Sequence, residues 1–225
     1  WERTSKLVLI GRWEAYLLGF VDDPARFRGV LRTTASVASG STVLHFLMKN
    51  SPLDAVWEPG DLDVFCPITS AETLLEHLTN IEGYRNKNPT HTVCADEDEY
   101  MGDNTGGLFQ VVHLERPDGK EIDLVVSSRQ TPLWALTYFW GTLVLSYISA
   151  DTICVAYPLW TLAGVGRLHP ERSSFFQAKR CVAKYTERGF QLLQFDSKDK
   201  TTYHSKYCPH LLRTFFDRAC LRLSF

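Results

Sequence analysis

The chain has 225 residues, of which 44% are hydrophobic and 12% aromatic, with 24 Lys and Arg against 26 Asp and Glu. That length and composition suffice for a real core, as one domain or as one domain with a small appendage, and exclude a disordered tail. A formal charge of −2 argues against broad electrostatic attachment to nucleic acid, though not against a local basic groove.

The first 20 residues are apolar only in short pieces and do not read as a signal peptide. Residues 23–32, DPARFRGVLR, predict a short helix opened by Asp and Pro. Residues 35–38 read as a strand of small residues, and SGST then turns into the helical run STVLHFLM. A loop rich in Pro and Gly fills 50–60, and LDVFCP follows as a strand. Thr69 opens a second helix that runs to about Ile81, with Glu72 completing a capping box. The polar, acidic stretch 83–107 holds one short strand at 91–95. GLFQVVHLE and KEIDLVVSS flank the turn RPDG and predict a hairpin. Residues 134–157 fit a helix or a strand, 171–188 a helix, and 211–223 an apolar helix in the tail. The run 133–153 is interrupted by Thr, Ser, Tyr, Gly and Asp and is too polar for a membrane span. The order of elements predicts an α+β fold: a small mixed sheet with helices packed on one side. Residues 1–130 would form its core, and 131–225 a partly helical extension packed on that core.

The chemistry begins at GDLDVF. Residues i and i+2 of a strand share a face about 6–7 Å apart, so Asp61 and Asp63 project together while Leu62 and Val64 face the core. In EIDLVV, Asp123 alternates in the same way with Ile122 and Leu124. If the two strands are neighbours, Asp123 lies about 5 Å to the side of the pair. Three carboxylates so gathered need positive charge, and they offer the hard oxygen donors that suit Mg²⁺ or Mn²⁺. Upstream, Gly40 permits a tight turn into a helix whose first N–H groups, with the hydroxyls of Ser41 and Thr42, could receive phosphates.

SGS, then GDLDVF, then EIDLVV resemble the nucleotidyltransferase superfamily, the fold shared by DNA polymerase β, poly(A) polymerases and many small bacterial and fungal transferases. The resemblance covers residues 35–127. The wider sequence, including SGSTVLHFL, WEPGDLDVF and AKRCVAKYTERGF, also resembles uncharacterised nucleotidyltransferase-like proteins of mushroom-forming fungi. The resemblance implies that Asp61 and Asp63 bind both metals. Asp123 would complete the second metal site and assist deprotonation of the acceptor, and Gly40 and Ser41 would hold the β,γ-phosphates of an NTP.

The helix at 171–188 puts Lys179, Arg180 and Lys184 on neighbouring turns, with Arg188 one turn further. Either this is a solvated face, or Lys184 and then Lys179 reach the triphosphate. Tyr185 fits core packing or stacking on a base. His204, Cys208, His210 and Cys220 could hold zinc, although their spacing matches no familiar zinc module. His45 and His77 read as structural, and the side taken by His113 is open. No nucleophile triad or P-loop is present. Six scattered cysteines without a CxxC pair point to a reduced, intracellular protein, cytoplasmic or nuclear, with no membrane partner.

These readings converge on a metal-dependent enzyme that moves a nucleoside monophosphate from an NTP to an acceptor hydroxyl and releases pyrophosphate. The acceptor could be RNA, a protein side chain, a small molecule or a second nucleotide. The rivals are a catalytically inactive nucleotide-binding or regulatory module of the same fold, and an interaction protein whose acids merely face solvent.

Overall fold

The computed structural model describes residues 2–54, 57–88, 107–194 and 213–225. In chain order the helices are α1 (Glu2–Leu17), α2 (Pro24–Thr33), α3 (Gly40–Leu47), α4 (Ala71–Asn80), α5 (Leu133–Leu136), α6 (Pro158–Thr161) and α7 (Phe176–Glu187). The strands are β1 (Val37–Ser39), β2 (Asp61–Pro67), β3 (Arg85–Asn86), β4 (Leu108–Glu115), β5 (Glu121–Ser127), β6 (Ser146–Ile148), β7 (Thr152–Val155), β8 (Val165–Arg167), β9 (Gln191–Leu193) and β10 (Leu221–Ser224). The fold is mixed α/β, with a large sheet flanked by helices.

Eight strands form that sheet in the order β10-β7-β6-β1-β2-β5-β4-β3. β2 and β5 run parallel, and the other pairings are antiparallel. The sheet is therefore not small. β1 would otherwise be an edge with unpaired backbone groups, and β6 pairs onto it with β7 and β10 beyond. The ambiguous stretch 134–157 resolves into α5, a 3₁₀ turn and these two short strands.

Period-two alternation divides the sheet faces. On one, Leu62, Val64, Cys66, Ile122, Leu124 and Val126 pack against Trp13 and Leu17 of α1, Phe27 and Leu31 of α2, and Leu74 and Leu78 of α4. On the other, Val37, Phe65, Val125 and Val111 meet Ala135 and Leu136 of α5. Helices thus cover both faces, where the sequence predicted one. α7 joins a third apolar cluster, in which Leu44, Trp57, Trp140, Tyr185 and Phe190 pack together.

Three local expectations change. α1, not anticipated, is held by buried Trp13 and Leu17 although no strong apolar stripe marks it. The Thr69–Glu72 capping box does not form, because a 3₁₀ turn at Ile68–Ser70 precedes α4 and leaves Ser70 as its cap. At the C-terminus no helix continues to residue 223: turns lead into β10, which pairs with β7. The strand predicted at 91–95 lies outside the described residues.

Candidate metal and phosphate site

The hairpin fixes the site's register. Gly119, at φ +82°, closes the turn, with the Gly119 N–H donating to the Arg116 carbonyl. Glu115 then pairs with Glu121, and His113 falls opposite Asp123. The parallel pairing of β2 and β5 sets Asp123 beside Asp63, and β1 sets Ser39 on Asp63's other side. One row across the sheet therefore reads Ser39, Asp63, Asp123, His113.

Asp61, Asp63 and Asp123 converge. Each offers a carboxylate oxygen, and these atoms lie within 4.8 Å of one another. Burial of Asp63, then the charges of Asp61 and Asp123, push its pKa well above the ordinary carboxylate range; Lys184 and the Ser41 backbone N–H pull the other way. Asp123 accepts from His113 Nδ1 at 2.8 Å, so the imidazole fixes its orientation.

The glycine turn is sterically coupled to the acids. Gly40 has φ +70°, and a Cβ there would stand 1.9 Å from Asp63 Oδ2. Its missing side chain lets the carboxylate lie against the start of α3. Ser41 Oγ donates to Asp61 Oδ1 at 3.3 Å, and the Thr42 hydroxyl donates to the Asp61 backbone carbonyl. Thr42 is fully buried, so its hydroxyl anchors β2 and does not face the cleft. Ser39 is spent likewise on the Ser146 carbonyl, at 2.7 Å.

A cleft of about 670 Å³ opens over Asp61, Asp63 and His113, and Asp123 lies buried behind its lining. Gly40, Ser41, Asp61, Asp63 and His113 line one side, and Arg172, Arg180 and Lys184, together with Glu171 and Glu187, the other. Lys179, Arg180 and Lys184 are all exposed, but only Arg180 and Lys184 line the cleft, on the stripe of α7 that also carries Gln177, Cys181 and Glu187. Tyr185 lies in the core beside Trp57, Trp140 and Phe190, and burial drives its phenol pKa sharply upward. Arg188 sits over the rings of Trp57 and Tyr185, at 4.2 and 5.2 Å.

His113, Arg172, Tyr138 and Phe139 are lining residues that sequence reasoning did not select. Only His113 carried a signal, through the hairpin register. His45 and His77 are buried on α3 and α4. Of the zinc candidates, His204, Cys208 and His210 lie outside the described residues. Cys220 is a free thiol in contact with the Thr214 carbonyl and Asp217. Among the described residues, no helix is long and apolar enough to cross a membrane. Comparison of the chain with protein-family models, with curated proteins and with solved structures gives no match.

Proposed function

We propose that this chain is a metal-dependent nucleotidyltransferase, with the nucleotidyltransferase fold in residues 35–127, that transfers a nucleoside monophosphate from an NTP to an acceptor hydroxyl. One observation carries the reading: three carboxylates from two adjacent strands converge within 4.8 Å beside a glycine turn, under a cleft whose far wall carries Arg172, Arg180 and Lys184 beside Glu171 and Glu187. The donor set suits Mg²⁺ or Mn²⁺. All three ligands are carboxylate oxygens; burial first, and then mutual repulsion, raises the Asp63 pKa, and that repulsion is the kind a divalent ion relieves.

Asp61, Asp63 and Asp123 would hold the metal. When bound it supplies charge neutralisation for the triphosphate and for the oxygen that attacks. The protein's part is positional. The glycine turn at the start of α3 would meet the phosphates from one side once the metal draws Asp61 and Asp63 off the Ser41 hydroxyl and N–H, and Lys184 and Arg180 would meet them from the other. Asp123, oriented by His113, receives the proton of the acceptor hydroxyl. Pyrophosphate leaves toward the α7 cations, which take up its charge.

The test incubates the protein with each α-labelled NTP, Mg²⁺ or Mn²⁺, and a cell extract as the source of acceptor. Labelled product with pyrophosphate release, abolished in Asp61→Ala/Asp63→Ala, supports the reading. NTP binding without pyrophosphate from any acceptor identifies an inactive binding module.

A further inference from the structure

The acids occupy one end of their cleft, and the other end is built differently. Residues i and i+2 of a strand share a face about 6–7 Å apart. The row next to Asp63 and Asp123 on the same sheet face is therefore Phe65 and Val125, and both line the bottom of the cleft. Phe139 crosses Phe65 edge-on, with ring centroids 5.8 Å apart. Phe139 and Leu108 are half-buried and Phe175 is 38% exposed, and all three line the cleft. Within one step along β2 the floor thus changes from carboxylates to apolar side chains.

The α7 wall has the same polarity. Asp63 interacts with Lys184 and Cys181, so the acids lie under the C-terminal half of the helix. Gln177, on the same stripe, is about 10 Å further toward the N-terminus. That N-terminal end is tied to the segment that carries Phe139. Arg172 donates to the Thr137 carbonyl, and the His169 N–H donates to the Trp140 carbonyl at 2.7 Å. Phe175 therefore stands at the apolar end and Lys184 at the acid end. Glu171 and Glu187 stand at opposite ends of this wall and favour neither end for phosphate, so the floor and the metal ligands decide. Phosphates belong with the acids, the glycine turn and Lys184. At the apolar end Arg172 is engaged with Tyr138 and the Thr137 carbonyl, and Gln177 accepts from Arg180 at 3.4 Å. Phe175 has no ring or cation partner among the described residues. An aromatic ring with an open face in an apolar recess suits a flat, uncharged ring that stacks on it.

We propose that this apolar end binds the nucleoside of a purine NTP, its base stacked on Phe175 beside Phe139 and its triphosphate running toward the acids and Lys184. The placement of the triphosphate rests on the nucleotidyltransferase reading. Stacking strengthens with ring area, so purines bind more tightly here than pyrimidines. Phe175 is then a specificity residue that touches neither the metal nor the phosphates, and the acceptor approaches the acids from elsewhere.

Calorimetric titration of the full chain in Mn²⁺ tests this with the α,β-methylene analogues of ATP, GTP, CTP and UTP, which cannot release pyrophosphate. Inorganic tripolyphosphate serves as the ligand without a nucleoside. Phe175→Ala is compared with Phe176→Ala, the adjacent ring, which is 70% exposed and is not a lining residue. The ATP and GTP analogues should bind wild type at least fivefold more tightly than the pyrimidine analogues and tripolyphosphate. Phe175→Ala should weaken the purine analogues about tenfold, the size of losing one stacked ring, and leave tripolyphosphate unchanged. Phe176→Ala should change neither. Should Phe175→Ala melt far below wild type, Phe175→Leu, which keeps apolar bulk without a flat face, is read in its place and should weaken the purines at least threefold. Equal binding of all four analogues overturns the proposal. So does an equal response to Phe175→Ala and Phe176→Ala, or a loss of tripolyphosphate binding in Phe175→Ala. Tripolyphosphate binding with no added affinity from any nucleoside overturns it and leaves the phosphate site standing. Failure of every ligand to bind overturns it together with the NTP reading. Purine binding that depends on Phe175, without pyrophosphate release from authentic NTPs, supports it and refutes only the transferase reading.

Discussion

The sharpest structural prediction concerns Gly40→Ala. The added methyl would meet Asp63 Oδ2 at 1.9 Å, its Cγ at 2.8 Å and its Cβ at 3.2 Å. To restore even a 3.0 Å contact the oxygen must retreat by about 1 Å, which takes it off the Ser41 N–H and away from its two neighbours. The backbone contributes separately, since φ +70° costs a residue with a Cβ about 1–2 kcal/mol. For a chain of this length that lowers the melting temperature by roughly 2–8 °C. Gly29→Ala is the control: it lies in α2 with open space around a built Cβ, and should raise stability by up to about 1 kcal/mol through helix propensity. Thermal melts in EDTA and in Mn²⁺ separate the two effects. Gly40→Ala should melt lower in EDTA and also lose most of the Mn²⁺-induced rise, whereas Gly29→Ala keeps it. If Gly40→Ala melts like wild type and responds normally to Mn²⁺, the packing of Asp63 on this turn is wrong.

Four further outcomes follow from the same geometry. Mn²⁺ at a hundredfold excess over its Kd should stabilise the protein by about 2.7 kcal/mol, and Asp61→Ala/Asp63→Ala should show no such rise in a melt. In EDTA, the raised pKa of Asp63 means that the folded chain keeps a proton the unfolded chain has already released. Wild-type stability should therefore fall relative to Asp63→Asn as pH rises from about 4 through the folded-state value, and a gap between the two denaturation curves that does not change with pH refutes this. Lys184→Ala removes a cation beside Asp63 at the cleft wall and should weaken NTP binding about tenfold, near the low end for a charged hydrogen bond, as measured by calorimetry. Arg28 is half-buried, pairs with Glu14 at 2.6 Å and donates twice to the Ala150 carbonyl, at 3.1 and 2.7 Å. Arg28→Ala should cost about 2–4 kcal/mol in urea denaturation and leave the Mn²⁺ response unchanged.

The elements around the site were legible because each had a local cause. The alternation of LDVFCP and EIDLVV assigned their faces, Asp23 caps α2 by accepting the Arg26 N–H at 2.9 Å, and RPDG closed the hairpin. What escaped depended on partners far along the chain. α1 carries a helix without a clear stripe, since its Trp13 and Leu17 acquire their meaning only from the sheet face they cover. β6 and β7 have three and four residues, too few for a period to appear, and are strands because β1 offers an open edge. β10 has one buried or half-buried position against three exposed, and its pairing with β7 overrides an apolar run that reads as helical.

The site divides along the same line. The convergence of Asp61, Asp63 and Asp123 needed only two strands with correctly assigned faces and the parallel pairing that makes them neighbours. His113 required one step more, because a turn that pairs Glu115 with Glu121 leaves His113 no place but opposite Asp123. The cationic wall was harder to read, since Lys179 and Lys184 look equivalent on a helical projection. Their difference arises from Ala178 and Tyr185, which pack into the cluster with Trp57 and Trp140 and so fix the rotation of α7. That rotation sets Arg180 and Lys184 on the cleft wall and Lys179 off it, although all three are exposed. The specificity of such a cleft therefore resides less in its charged residues than in the apolar residues that aim them. Loosening the Trp140–Tyr185 contact, whose ring centroids are 5.5 Å apart, should disturb phosphate binding without touching a charge.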